Sequence, residues 1–179
     1  MSLYLATPSS PSDEDLEDIE RSFDTAKLAV IDLSEAGSVL VKRRIAGRSG
    51  PPIWTDLHDY DGSSDFHEPF VRAAEVVFMN DDRTDDPWQL MEGCLRWGPK
   101  TAVCTLGSRG AVALDATGTR ARVDALPAGV IDTNGAGDAF FAGFLAASQR
   151  GVGLEERLVA GAGQAVIALS TIHLHPALA

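Results

Sequence analysis

Residues 131–145 read IDTNGAGDAFFAGFL, a Gly-Ala-Gly turn and one carboxylate set directly ahead of an almost wholly apolar run. Gly135 and Gly137 let the backbone bend so that successive N–H groups converge, and the partial positive charge at a helix N-terminus adds to them, which together make an anion cradle. Thr133 or Asn134 can cap one donor. Asp138, one residue past the cradle, can accept the proton of an alcohol where a transferring phosphoryl group would gather charge on the amides. A general base and an anion hole would then sit side by side. The same residues also suit an ordinary capped helix whose glycines permit close packing.

Two better-known phosphate motifs do not fit. A Walker loop needs Gly followed by Lys and a hydroxyl residue, and the chain has no such run. A Rossmann fingerprint started at Gly135 and Gly137 needs a small residue at position 140, where Phe140 stands. GAGQAV at Gly161 fails in the same way at Val166 and lies inside a helical pattern.

The chain that must position these residues has 179 of them, 45% apolar, which is enough for one core and predicts a single α/β domain over 1–179. Residues 1–15 read as a disordered or tag-derived start. They lack the basic region and apolar run of a signal peptide, and no stretch reaches membrane-spanning length, so the expected setting is cytoplasmic, away from membranes. Cys94 and Cys104 lie in apolar surroundings without CxxC spacing and read as reduced core thiols. A formal charge of −11 repels nucleic acid, so any anionic ligand must be held by local donors.

Along the chain, helical and strand patterns alternate. SPSDEDLEDIERSF opens a helix with Ser12 as N-cap, and KLAVIDL follows as a strand. VLVKRRIAG is a helix closed near Gly47, PPIWTDL a strand, HEPFVRAAE a short helix and VVFMN a strand. DPWQLMEGCLRWG is a helix started by Pro87, and TAVCTL a strand. Continuous apolar strands in such alternation predict a largely parallel sheet with helices on both faces, a three-layer α/β/α fold. Two β-prone runs around DATG predict a hairpin, and the chain closes with helices over 136–150 and 154–169. The first of these is apolar on nearly every side, which predicts a buried central helix. In open parallel sheets ligands collect beyond the carboxyl ends of the strands, which singles out Asp56, Asn80 and Gly107.

DTNGAGDAFFAGF, residues 132–144, resembles the C-terminal signature of the ribokinase-like, or PfkB, carbohydrate kinases almost position for position. VCTLGSRGAVAL, residues 103–114, is similar to that family's strand and glycine turn beside ATP. The resemblance runs from about Lys27 to the C-terminus and covers the nucleotide-binding portion of such a kinase. It implies a ribokinase-like sheet and ATP-dependent phosphorylation of a hydroxyl on a sugar or related small molecule. By it, Asp138 is the catalytic base, and the amides of Gly135, Ala136 and Gly137 stabilise the transferring phosphoryl. Thr105, Gly107 and Gly110 lie beside the nucleotide, Asn80 supports its phosphates, Ala162 lines the adenine pocket, and Asp132 orders the turn and a nearby monovalent cation. ATP and Mg2+ are the implied cofactors, and no side chain is assigned as a metal ligand.

The chain departs from the family pattern in two places. The family's Asn-x-x-Glu motif would follow Asn80, but Asp81, Asp82 and Arg83 stand there; Asp81 or Asp82 can substitute, or the run is a solvated acidic loop. The Gly-Gly sugar motif and the β-lid of the family are not recognisable. These departures predict a truncated, weakly active form that self-associates, most simply as a two-fold dimer. The alternative is a non-catalytic nucleotide-binding or interaction module derived from such a kinase. WTDLHDYDG gathers Asp56, His58, Asp59 and Asp61 for a metal or substrate role or, more simply, for turn chemistry. His173 and His175 read as an edge strand or frayed tail.

Overall fold

The computed structural model describes residues 11–47 and 49–171, so His173 and His175 lie outside the described residues. Helix α1 spans Asp13–Phe23, so the expected disordered start does not extend to residue 15, and a reciprocal capping box holds the helix start: the Ser12 side chain accepts from the Asp15 amide, and Asp15 accepts from the Ser12 amide. The following elements are β1 (Ala29–Val30), α2 (Glu35–Ile45), β2 (Ile53–Asp56), α3 (Glu68–Ala73), β3 (Val76–Asn80), α4 (Pro87–Leu95) and β4 (Thr101–Thr105). A short 3-10 turn, Gly107–Arg109, leads into the hairpin β5 (Ala111–Asp115) and β6 (Arg120–Val123). Helices α5 (Ala136–Gln149) and α6 (Leu154–Leu169) complete the chain.

The six strands form one sheet in chain order. Strands β1 to β4 are parallel, and β5 and β6 are antiparallel to their neighbours. The pleat sends alternate side chains to opposite faces. Ile53, Val77, Met79, Ala102, Cys104, Val112 and Leu114 pack with α1 to α4 on one side, and Trp54, Val76, Phe78, Val103, Ala111 and Ala113 pack with α5 and α6 on the other. Strands buried on both faces read as unbroken apolar runs for this reason. Both cysteines are buried and unpaired, and burial pushes each thiol up to about 12.

Three local expectations are corrected. KLAVIDL yields only the two-residue β1, which has β2 as its single neighbour among the described residues; Val30 on its outer edge is 57% exposed. Helix α2 begins at Glu35, four residues before the apolar run, because the Ser34 hydroxyl accepts from the Gly37 amide at 3.0 Å and starts the helix there. Helix α5 is not enclosed on every side. It buries Phe140, Phe141, Gly143, Phe144 and Ala147, while Ala142 and Ala146, whose small side chains carry little apolar surface, stay exposed.

The register places Asp56, Asn80 and Thr105 at the carboxyl ends of three adjacent parallel strands, with Asp56 opposite Phe78 and Asn80 opposite Thr105. Helix α5 delivers its N-terminus to the same edge because it packs closely on α6. A Cβ at Gly143 would lie 2.6 Å from the Ala160 carbonyl oxygen, so only glycine permits that approach. Gly143→Ala is therefore expected to cost about 1–3 kcal/mol through overpacking, read as a lower midpoint in urea unfolding. An unchanged midpoint would show that the two helices can separate freely.

Candidate active site

The turn ahead of α5 is ordered by its own side chains. Asp132 accepts from the Asn134 backbone N–H at 3.0 Å and from its side-chain amide at 3.4 Å, while the Ile131 amide donates to the Leu169 carbonyl at 2.7 Å and ties the turn to the end of α6. The cap of α5 is neither Thr133 nor Asn134. Gly135 holds that position at φ +73°, with no side chain closing the helix, and the Asn134 amide and side-chain N–H groups donate to Asp132 instead. The Ala136 amide donates to the Thr133 carbonyl at 3.3 Å and the Ala139 amide to the Gly135 carbonyl at 2.8 Å. Among the described residues the amides of Gly135, Gly137 and Asp138 have no acceptor. Of the expected cradle donors, Gly135 and Gly137 are thus open, while Ala136 is bonded and the Asp138 amide is open in its stead. Gly137 is also not bent to positive φ. It lies in the first helical turn, and a Cβ there would meet no atom within 4 Å, so its lack of a side chain leaves the space above the amides open.

Two cavities meet at this turn. The larger, about 570 Å³, brings together Thr105, Gly107, Gly110, Ala136, Gly137 and Ala162, residues drawn from β4, the 3-10 turn, α5 and α6. The smaller, about 100 Å³, is lined by Asp56, His58, Asn80, Thr105 and Gly137 over Phe78 and Met79. Thr105 and Gly137 border both. Gly110, at φ +92°, is required for backbone reasons, since a Cβ would fall 2.0 Å from the Val123 carbonyl oxygen, whereas Gly107 at φ +56° faces open space. Asp138 is exposed at the mouth of the turn.

The description "pfkB family carbohydrate kinase" belongs to the family model that matches residues 62–175. The chain belongs to that family. Acarbose 7(IV)-phosphotransferase from an Actinoplanes strain is 36% identical over 114 residues, which are 62% of this chain and 38% of the relative. A microbiome-derived acarbose kinase superimposes with a TM-score of 0.82 at 24% identity, covering 98% of this chain and 60% of that one. Ribokinase of Arabidopsis thaliana, solved with ribose and ATP, gives 0.67 at 22% identity over 93% of this chain and 55% of that one. The chain thus spans about two fifths of the curated relative and under two thirds of these solved structures.

Where this pfkB chain lacks the motif glutamate, the local pairing is specific. Arg83, which stands in its place, pairs with Asp59 at 3.4 Å. Asp81 is held by the Arg109 guanidinium, and its amide donates to the Thr105 carbonyl at 3.2 Å, joining the ends of β3 and β4. The Asn80 side-chain oxygen accepts from the Asp82 amide at 3.0 Å, and Asp82 itself is exposed. Of the two candidate substitutes for the glutamate, Asp81 is therefore committed elsewhere and Asp82 remains.

WTDLHDYDG divides between both of its readings. Asp61 accepts from the Ser63 amide and hydroxyl and makes a turn. Asp56 also makes one, accepting from the His58 amide at 2.8 Å, yet it borders the small cleft. His58 takes φ +52° and is the one non-glycine residue at positive φ among the described residues, a strained backbone at the edge of the cleft. Burial pushes the Asp56 carboxyl up; the His58 N–H bond and ring oppose this, and the charge of Asp138 adds to it. Asp56 thus makes a turn and also borders the small cleft, at the strand-end position that the parallel-sheet pattern singled out. Among the described residues no group of three or more His, Cys, Asp or Glu side chains converges as a metal cage.

Because the Asp56 carboxyl titrates above its ordinary value of 3.8, the ionised form is the costly one in the fold. The penalty is absent below that value and reaches full size once the pH exceeds the raised one. Asp56→Asn, which keeps an oxygen for the His58 amide, is expected to melt higher than the parent at pH 7, with the difference closing as the pH falls below about 4. A lower melting temperature at pH 7 would mean that the ionised carboxylate is net stabilising.

Proposed function

We propose that this chain carries the nucleotide-binding and base-bearing portion of an ATP-dependent kinase that phosphorylates a hydroxyl of a sugar or similar small molecule in the cytoplasm. The observation that carries the proposal is the junction of the two cavities at Gly137. A nucleoside in the larger cavity would have its terminal phosphate beside the open amides of Gly135, Gly137 and Asp138, with the Asp138 carboxylate next to it. The amides hold the charge that gathers on the transferring phosphoryl oxygens, and Asp138 takes the proton of the attacking alcohol. Thr105, Gly107 and Gly110 allow the backbone to approach the phosphates, and Asn80 and Thr105 close the cleft from the sheet side.

Magnesium fits this arrangement without a protein cage, because on a nucleotide it keeps most of its waters and needs only one or two carboxylates. Asp56 would supply one, with Asp82 in reserve through solvent, which leaves the Asp138 carboxylate free as the base. When bound, the ion neutralises phosphate charge; all proton handling stays with Asp138. Phosphorylation of a carbohydrate alcohol agrees with the family description and with the phosphotransferase name of the 36% identical relative. A second reading, a nucleotide-binding module without catalysis, is favoured by Arg83 in the place of the glutamate.

The two readings separate at Asp138. Asp138→Asn is expected to leave ATP affinity nearly unchanged while ADP release in the presence of sugars falls about 10²–10⁴-fold, measured on this chain and on the longest reading frame that contains it. Retained turnover would falsify the base assignment, and absence of turnover in both parent forms would favour the module. Gly137→Val tests the cradle, since a Cβ there meets no atom within 4 Å and the added bulk enters the space above the amides. Its expected effect is at least a tenfold loss of ATP affinity in calorimetry, about 1.4 kcal/mol, at a melting temperature close to the parent's. Unchanged affinity would return the glycines to a packing role.

A further inference from the structure

We propose that the larger cavity accepts purine nucleotides with little regard to which purine, so that GTP and ITP occupy it about as well as ATP. The inference rests on reading that cavity as the nucleotide site. Its base-side wall is built from Leu126, Pro127 and Val130 after β6 and from Ala162, Ala165 and Val166 on α6. The side-chain hydroxyls that line the cavity belong to the strand end and glycine turns, at Thr105, Ser108 and Thr133. Among the described residues no carboxylate, amide, imidazole or cationic side chain lines it.

Adenine and guanine have the same ring shape and differ in the donors and acceptors along one edge. A site that separates them must set a fixed polar group against that edge. Sites built that way reject the wrong ligand by about 10⁴–10⁵-fold, whereas a purely apolar wall separates close analogues by only about 10–200-fold. The remaining polar groups of the wall are backbone. From 124 to 130 no residue makes a backbone–backbone hydrogen bond among the described residues, so the N–H and C=O groups of this segment are not fixed in one pattern and can answer either purine edge directly or through water. At about 570 Å³ the cavity lies within the usual range of small-molecule sites, about 300–1,000 Å³. Binding of the base is then driven by apolar area, which a purine supplies more of than a pyrimidine.

The test uses the chain itself. Displacement of a fluorescent ATP analogue by ATP, GTP, ITP and CTP, each with Mg2+, gives four affinities at one site. The expected result is that ATP, GTP and ITP agree within about tenfold, well inside the apolar limit, with CTP weaker. Ala165→Trp, which fills the wall at a half-buried position, should weaken all of them together. If ATP displaces the probe more than about hundredfold better than GTP, the base is read by fixed polar groups; this proposal is overturned while the nucleotide site stands. If no nucleotide displaces the probe, or a folded Ala165→Trp variant binds as the parent does, the nucleotide reading of the cavity fails and the proposal falls with it. Displacement by unlabelled nucleotides needs no variant, so a failure of Ala165→Trp to fold leaves the comparison of purines decisive.

Discussion

An α-helix begins with amides that its own carbonyls cannot reach, and the first turn of α5 keeps two of them, at Gly137 and Asp138, without an acceptor among the described residues. A side-chain cap would ordinarily close that end. Here the Asn134 amide and side-chain N–H groups donate to Asp132, and Gly135 takes the cap position in a left-handed conformation with no side chain to accept from the first turn. Of the two open donors, Gly137 borders both cavities. The order of the rest of the molecule follows from delivering this open helix end to the right place and keeping side chains away from it.

The sheet performs the delivery. Parallel pairing from β1 to β4 brings the carboxyl ends of neighbouring strands to one edge, so residues far apart in the chain, Asp56, Asn80 and Thr105, become neighbours without any local sequence signal linking them. The antiparallel hairpin then moves the chain past β4 and returns it on the opposite face, where Phe140, Phe141 and Phe144 pack against Trp54 and Phe78. That aromatic contact fixes the depth of α5, and the glycine contacts at Gly143 and Gly161 fix its distance from α6. A glycine such as Gly110 serves a neighbouring strand, while Gly107 and Gly137 face open space. The two kinds look identical in a sequence and differ only in what a Cβ would meet.

Legibility followed the range of the interaction. The bounds of α5 and α6, the hairpin around DATG, the cap at Ser12 and the helix start at Pro87 are set by neighbours a few residues away, and local pattern was enough for each. The short β1 was not legible, since strand length at an edge depends on having a partner. The start of α2 was missed because Ser34 outweighed the apolar spacing. The family signature located Asp138 and the cavity residues Thr105, Gly107, Gly110 and Ala162, which the fold then gathered around one turn. It could not say that Gly137 is helical while Gly135 is not, because the φ of each depends on how Asp132 ties up Asn134. Asp56 lay in a turn-rich segment whose local chemistry was real, and its place beside the small cleft arises only from strand order.

The charge distribution poses the last problem, since a chain of formal charge −11 is asked to hold a polyanion. Its basic side chains do not form a steering field toward the cleft. Arg109 is joined to Asp81 and Arg83 to Asp59, and pairs with exposed arginines are worth about 0–1 kcal/mol. Their consequence is positional. They neutralise two carboxylates beside the strand ends, and Arg109 binds the 3-10 turn of the larger cavity to the end of β3, at the rim of the smaller one. With those carboxylates paired, the acids at the turn and the small cleft that have no lysine or arginine partner among the described residues are Asp56, partly buried, Asp132, bonded to Asn134, and Asp138, exposed. An anion entering there meets backbone donors with carboxylates close by, which favours a ligand that brings its own cation. A triphosphate carrying a divalent metal has that character, and a bare phosphate does not.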